Sequence, residues 1–248
     1  MRGKMTKLYE ANDHILIHAD YANPLMHSHM AAHIIIPLDG EMRLTADGAE
    51  YQCHGALIPS GTAHLADTDG KAALVFLFDC TTDVARQIQG ISCIAKECCR
   101  NIAAAYAAME QQFSAAEYYR FERFALSQLG FAESSPAVQD ERIKAAMNYI
   151  RSGAGEQLSR KEVADAVHLS PSRFSHLFRE RVGMTFAAYL IYQRIMRVYT
   201  LVLRGKSITE AALAAGFSSS AHFADVNRRV FGLPASSITR DLIFIKLQ

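Results

Sequence analysis

Val163-Ala164-Asp165-Ala166-Val167-His168-Leu169-Ser170 is answered later in the chain by Ala211-Ala212-Leu213-Ala214-Ala215-Gly216-Phe217-Ser218. The first copy is followed by Phe174, Leu177 and Gly183, the second by Phe223, Val226 and Gly232. Each copy reads as a helix, a tight turn and a second helix opened by a serine. Two such units predict two helix-turn-helix modules that read DNA together.

In the first module, Ser170 is the expected N-cap, and Pro171 suits the first helical turn. Phe174, Leu177, Phe178 and Val182 then fall on one helical face. Ser172, His176 and Arg179 fall on the other, with Arg173 at its edge. In the second module Ser218 is the expected cap. Phe223, Val226 and Val230 point inward, Ala221, Asp225 and Arg228 outward, with His222 and Arg229 at the edge. A single amphipathic helix of this kind is usually one wall of a core with a solvated outer face. Duplication of caps and turns in a basic region favours a buried stripe opposite a groove-reading stripe. Between the modules, Phe186–Leu203 has the length of one helix, 18 residues or about 27 Å. Such a strut would hold the two reading helices near the roughly 34 Å repeat of one duplex turn.

The charge is divided in the same way. Residues 140–248 carry 16 Lys/Arg and 9 Asp/Glu, net +7, whereas residues 1–139 carry 10 and 16, net −6. Only the C-terminal half is suited to a polyanion. No run near the N-terminus resembles a signal peptide, and stretches such as Ala72–Phe78 are too short to span a bilayer. A cytoplasmic location is expected, with no membrane partner. The five cysteines (Cys53, Cys80, Cys93, Cys98 and Cys99) are then expected as thiols. Cys93 with Cys98 or Cys99 would suit sensing of an oxidant or a soft metal. The competing reading is small packing groups.

Residues 140–248 resemble the AraC/XylS family of bacterial transcription regulators. The resemblance rests on Leu169-Ser170-Pro171-Ser172, Gly183-Met184-Thr185, Tyr189-Leu190 and Arg194. It continues through Ile208-Thr209-Glu210-Ala211-Ala212, Gly216-Phe217-Ser218, Phe223 and Phe231-Gly232-Leu233-Pro234. The family usually has an aromatic residue where Asn227 stands, and a polar residue and a tyrosine around Leu233 and Ile238. The resemblance implies an effector-responsive regulator, with double-stranded DNA, a second copy of the chain and RNA polymerase as partners. Lys161, Arg181, Arg197 and Arg229 are candidates for phosphate contacts. Ser172, Arg173, His176 and Arg179 are candidates for base edges in one groove, and Ser220, Ala221, His222 and Asp225 in the next.

The N-terminal half reads differently. Short apolar runs (Ile15–Ile17, His33–Leu38, Ala56–Pro59, Leu74–Phe78) alternate with the turn signals Asp39-Gly40, Asp47-Gly48, Pro59-Ser60-Gly61 and Asp69-Gly70. This predicts a small β sandwich or barrel. Residues 83–130 turn helical, with Ile102, Tyr106 and Met109 on one stripe and Phe121, Phe124 and Leu129 in a second segment. Glu133-Ser134-Ser135-Pro136 reads as a linker. The expected fold class is therefore α+β in two domains. A β-barrel (1–82) and a helical dimerisation segment (83–135) precede an all-α double helix-turn-helix domain (136–248).

His27-Ser28-His29, His33 and Gly40, followed by Pro59-Ser60-Gly61-Thr62-Ala63-His64, resemble the two signature motifs of the cupin barrel. His33 takes the position where those motifs usually carry glutamate. On a regular strand His27, His29 and His33 would share a face, and His64 would come from a neighbouring strand. Four converging imidazoles suit Zn²⁺, Ni²⁺, Fe²⁺ or Cu²⁺. The alternatives are an organic effector held without metal and purely structural histidines. Metal-holding cupins also include enzymes. No G-x-S-x-G elbow, P-loop or G-x-G-x-x-G is present, so catalysis is not expected. A DNA-binding protein with a ligand-free barrel is the remaining reading.

Overall fold

The computed structural model describes residues 6–11, 14–20, 25–28, 31–78, 82–131, 140–153, 158–182, 184–231 and 242–247. The chain divides into two compact units. One comprises residues 1–135 together with 240–248, the other residues 136–239.

In the first unit, β1 (Thr6–Glu10), β2 (His14–Asp20), β3 (Ala32–Pro37), β4 (Met42–Ala46), β5 (Ala49–Cys53), β6 (Ala56–Ile58), β7 (His64–Asp67) and β8 (Ala72–Phe78) precede α1 (Asp83–Gln87). β9 (Ser92–Cys93), α2 (Lys96–Gln111) and α3 (Ala115–Gln128) follow. Asp47-Gly48 closes the β4–β5 hairpin as a two-residue turn, with φ of 49° and 77° and Ala46 paired to Ala49. Positive φ at both positions matches the strand twist, and Asp-Gly tolerates it. Every residue of β3 is buried. That suits a strand lying between β8 and β6 and covered on both faces.

Among the described residues the strands form two sheets rather than one closed barrel. The three-stranded sheet has the order β5-β4-β7. The seven-stranded sheet runs β10-β1-β2-β8-β3-β6-β9, where β10 is Leu242–Lys246, pairing parallel to β1 with Thr6 opposite Leu242. These last residues were expected in the helical domain. Leu242-Ile243-Phe244-Ile245-Lys246 is short and rich in β-branched residues, a segment whose helix-or-strand choice is made by its pairing partner.

Nor does the helical segment 83–135 stand apart. Ile102, Tyr106 and Met109 of α2 and Tyr118, Phe121 and Ala125 of α3 share one core with Tyr9, Leu16, Ile34, Phe76 and Phe78 of the large sheet. The buried stripe of α3 follows i, i+3, i+7 from Tyr118, which leaves Phe124 exposed rather than packed.

The second unit is helical: α4 (Glu141–Ser152), α5 (Arg160–Ala166), α6 (Pro171–Val182), α7 (Phe186–Leu203), α8 (Ile208–Ala214) and α9 (Ser220–Phe231). α5 and α8 open with matching capping boxes, Ser159 with Glu162 and Ser207 with Glu210. α7 has the 18 residues expected of the strut. No helix among the described residues is long and apolar enough to cross a membrane. The expected linker 133–136 and the Gly183 and Gly232 positions lie outside the described residues.

The turns of the two modules coincide. His168 (φ 55°) and Gly216 (φ 85°) occupy equivalent left-handed positions. A Cβ on Gly216 would stand 3.2 Å from Nε of Arg194 on α7. Gly216→Ala is therefore expected to destabilise the unit by about 1–2 kcal/mol. His168→Gly should instead be stabilising by roughly 0.5 kcal/mol, because relief of about 1–2 kcal/mol is partly offset by glycine's greater freedom when unfolded. Denaturant midpoints of the two variants should move in opposite directions.

Candidate nucleic-acid interface and histidine cluster

The side chain of Ser170 caps α6 by accepting from the Arg173 N–H at 3.3 Å, as its sequence position suggests. In the second module the cap is shifted by one residue. Ser219, not Ser218, accepts the His222 N–H at 3.0 Å, while the Ser218 hydroxyl lies 2.9 Å from Nδ1 of His222. Serines stand at 218, 219 and 220, so the register of this cap is not fixed by residue type.

Phe174, Leu177, Phe178 and Val182 of α6 are buried, whereas Ser172, Arg173, His176 and Arg179 are exposed. On α9, Phe223 and Val226 are buried, Val230 and Ser220 half-buried, and Ala221, His222, Asp225, Arg228 and Arg229 exposed. The two helices thus present equivalent polar faces, but with different charge. α6 offers Arg173 and Arg179, and neither makes an ion pair among the described residues. His176 lies 3.7 Å from Glu180. On α9, Arg229 is paired with Asp225 at 2.9 Å. Lys161 (3.6 Å from Asp165) and Arg181 (3.4 Å from Glu180) are exposed at the module's edges. Exposed pairs of this kind hold little energy. Arg197 differs: it is half-buried on α7, with Nε enclosed and without a hydrogen-bond partner among the described residues.

Asn227, where an aromatic residue was expected, is fully buried on α9. Its carbonyl oxygen accepts a hydrogen bond from the Tyr199 hydroxyl of α7. Burial pushes the Tyr199 pKa up, so the hydroxyl stays protonated and remains a donor. Sequence periodicity puts Asn227 beside the buried stripe but cannot show its partner, which lies on another helix.

In the first unit, His27, His33 and His64 converge, each offering one ring nitrogen within 4.8 Å of the others. Their ring centroids are 4.4 Å apart for His27–His64 and 4.6 Å for His33–His64. His33 comes from β3 of the large sheet and His64 from β7 of the small one. His27 is not on the strand of His33. A bridging pair holds it against His64, with N–H to carbonyl distances of 3.0 and 2.8 Å. His29 lies outside the described residues.

The Nδ1 atoms of His27 and His64 lie 2.8 Å from the carbonyls of Leu25 and Thr62 respectively. A carbonyl only accepts, so each Nδ1 carries the proton and each Nε2 keeps its lone pair. Burial lowers the pKa of His27 and takes that of His64 down to about 4, with the neighbouring His27 adding to the fall. Both rings are neutral at pH 7, the form that binds metal.

Residues 163–241 match the family described as a helix-turn-helix domain. Over 97 residues the chain is 33% identical to the regulatory protein PocR of Salmonella typhimurium, covering 39% of this chain and 32% of that one. Over 100 residues it is 31% identical to the probable transcriptional regulator LumQ of Photobacterium leiognathi, covering 40% and 39%. The chain therefore spans about a third of the length of the curated relatives it matches. Among solved structures, apo ToxT from Vibrio cholerae superposes with a TM-score of 0.62 at 12% identity, covering 95% of this chain and 100% of that one. ToxT with a bound unsaturated fatty acid gives 0.59 at 13% identity, covering 96% and 97%. The chain has a ToxT-like fold, and residues 163–241 of its sequence match a helix-turn-helix domain.

Proposed function

We propose that this protein is a transcription regulator that reads DNA through α6 and α9 in successive major grooves, controlled by a divalent transition metal held at His27, His33 and His64. The observation that carries the DNA reading is the duplication itself. Two capped, turn-matched helix pairs flank one strut, each with a buried face and an opposed polar face. Ser172, Arg173, His176 and Arg179 face one groove, and Ser220, Ala221, His222 and Asp225 the next. Lys161, Arg181 and Arg229 hold phosphates, with Arg197 partly enclosed beside them.

The histidine set supports the metal. Three imidazoles converge, and two of them, His27 and His64, have the ring orientation fixed by a backbone carbonyl, as in metal sites generally. Zn²⁺, Ni²⁺, Fe²⁺ and Cu²⁺ all accept imidazole. When bound, the ion would be held by His33 of the large sheet, His64 of the small one and His27, which is bridged to His64. A metal that binds one arrangement of the first unit better than another shifts the population, and that differential affinity is the switch. No step of this scheme is catalytic. A second copy of the chain and RNA polymerase are the further partners proposed.

A small organic effector is the second reading, favoured by the fold shared with ToxT, one structure of which holds an unsaturated fatty acid. Elemental analysis of untagged protein beside His33→Ala/His64→Ala separates the two. The metal reading expects about one ion per chain, lost in the variant, and an affinity for DNA at least about fivefold different between loaded and stripped protein. Absence of binding with all four ions would overturn the metal and leave the organic effector.

A further inference from the structure

Two cysteines distant in sequence meet at the edge of the first unit. Cys53 ends β5 and Cys93 ends β9, with Cα atoms 5.4 Å apart and the sulfurs bonded. The expectation of five thiols is therefore corrected at this pair. Spacing could not reveal it, because 40 residues separate the partners. The bond joins the two sheets, since β5 belongs to the three-stranded one and β9 to the edge of the seven-stranded one. β9 is only two residues long. It is held to β6 by the pairs Ala56–Cys93 and Leu57–Ser92 and by the Ile94 N–H on the Gly55 carbonyl at 2.8 Å. α2 begins three residues after Cys93.

We propose that Cys53 and Cys93 form a reversible, oxidant-made crosslink that clamps the small sheet to β9 and the start of α2. Three observations support it. A chain that binds the genome works beside it, where small thiols keep cysteines reduced and a persistent structural disulfide is rare. This step rests on the DNA-binding reading above. The two sulfurs also differ in access: Cys93 is exposed, whereas Cys53 is buried. Finally, the neighbouring Cys99 is a poor competitor. Cys99 is buried against the same turn, where a Cβ on Gly55 would meet its Sγ at 2.8 Å. Burial, with Cys98 beside it, pushes the Cys99 thiol up to about 11, so it is not the reacting thiolate.

The chemistry balances with a peroxide as oxidant. The Cys93 thiolate attacks the O–O bond, which breaks. Cys93 becomes a sulfenic acid, and the other oxygen leaves as hydroxide or alkoxide, which takes a proton from solvent to give water or an alcohol. The Cys53 sulfur then attacks the Cys93 sulfur, the S–S bond forms, and the hydroxyl departs with a proton as water. A small dithiol reverses the change by two exchanges at sulfur and is itself oxidised to its disulfide. The clamp acts on the two sheets that present His33 and His64, so the bond and the histidine cluster constrain the same pair of layers.

The test uses the full chain, reduced with dithiothreitol, freed of reductant, exposed to hydrogen peroxide and quenched with iodoacetamide in denaturant, so that buried thiols are alkylated too. It is then digested without further reduction for peptide mass mapping. The expected product is a Cys53–Cys93 linked peptide with Cys98 and Cys99 alkylated, reversed when the folded protein meets dithiothreitol again. Cys53→Ser should leave Cys93 as a sulfenic acid trapped by dimedone. Amide exchange over residues 92–95 should slow at least about tenfold on oxidation, as local opening is suppressed. Failure of the linked peptide to form, linkage through Cys98 or Cys99 instead, resistance of the bond to dithiothreitol in the folded protein, or unchanged exchange would each overturn the proposal. DNA takes no part in these readouts, so their failure is distinct from failure of the DNA-binding reading.

Discussion

Replacing Arg173 and Arg179 together by alanine is expected to lower affinity for a selected DNA site by thirtyfold or more, with little change in stability. Both side chains are exposed on α6, so their removal opens no cavity. A good bidentate contact to a base edge is worth about 1–3 kcal/mol of discrimination, so two together amount to roughly 2–6 kcal/mol. The loss should fall on the selected site far more than on random duplex. Lys161→Ala and Arg181→Ala should behave differently, weakening all sequences alike. Each should also reduce the slope of log K against log salt by about 0.9. Gel-shift titrations on selected and scrambled duplexes at several salt concentrations separate the two patterns. An equal loss on both duplexes for the Arg173/Arg179 variant would remove these residues from base reading.

Truncating the aromatic centre of either module is the other large effect. Phe174 is fully buried, with Phe178 at 5.3 Å and Phe186 at 5.8 Å between ring centroids. Phe223 is equally buried, against Phe217 at 5.4 Å and Tyr199 at 6.1 Å. Each ring ties its reading helix to the residues that fix its direction. Phe174→Ala and Phe223→Ala should each cost about 3–5 kcal/mol, the transfer of a phenyl group plus the cavity left behind. Whole domains hold only about 5–15 kcal/mol, so either variant takes a large share of the unit's stability. Urea denaturation followed by helical circular dichroism measures the loss, and a value below about 1 kcal/mol would place these rings outside the core.

Legibility in the sequence followed the range of the interactions involved. The helices of the second unit are set by local periodicity, caps and turn residues, all of which are neighbours in the chain. Phe186–Leu203 is bounded where its apolar pattern begins and ends, and Ser170 caps α6 through residues three apart. Asp47-Gly48 likewise carries its hairpin within four residues. What escaped depends on distant partners. β10 is a strand because β1 offers it an edge, and Cys53 meets Cys93 because β9 folds back beside β6. The hydroxyl of Tyr199 turns Asn227 from an apparent departure into a buried polar contact. The histidine motif was partly legible. Residue type and turn chemistry point to His27, His33 and His64. Strand alternation does not, since His27 reaches the cluster through its bridge to His64 rather than along β3.

The central claim, two reading helices on one face of a duplex, is tested most directly by hydroxyl-radical footprinting of the full chain on a selected DNA site. The expected pattern is two protected patches on the same face, centred about 10–10.5 base pairs apart, as successive major grooves require. A single patch, or two patches displaced by about half a turn and so on opposite faces, would contradict it.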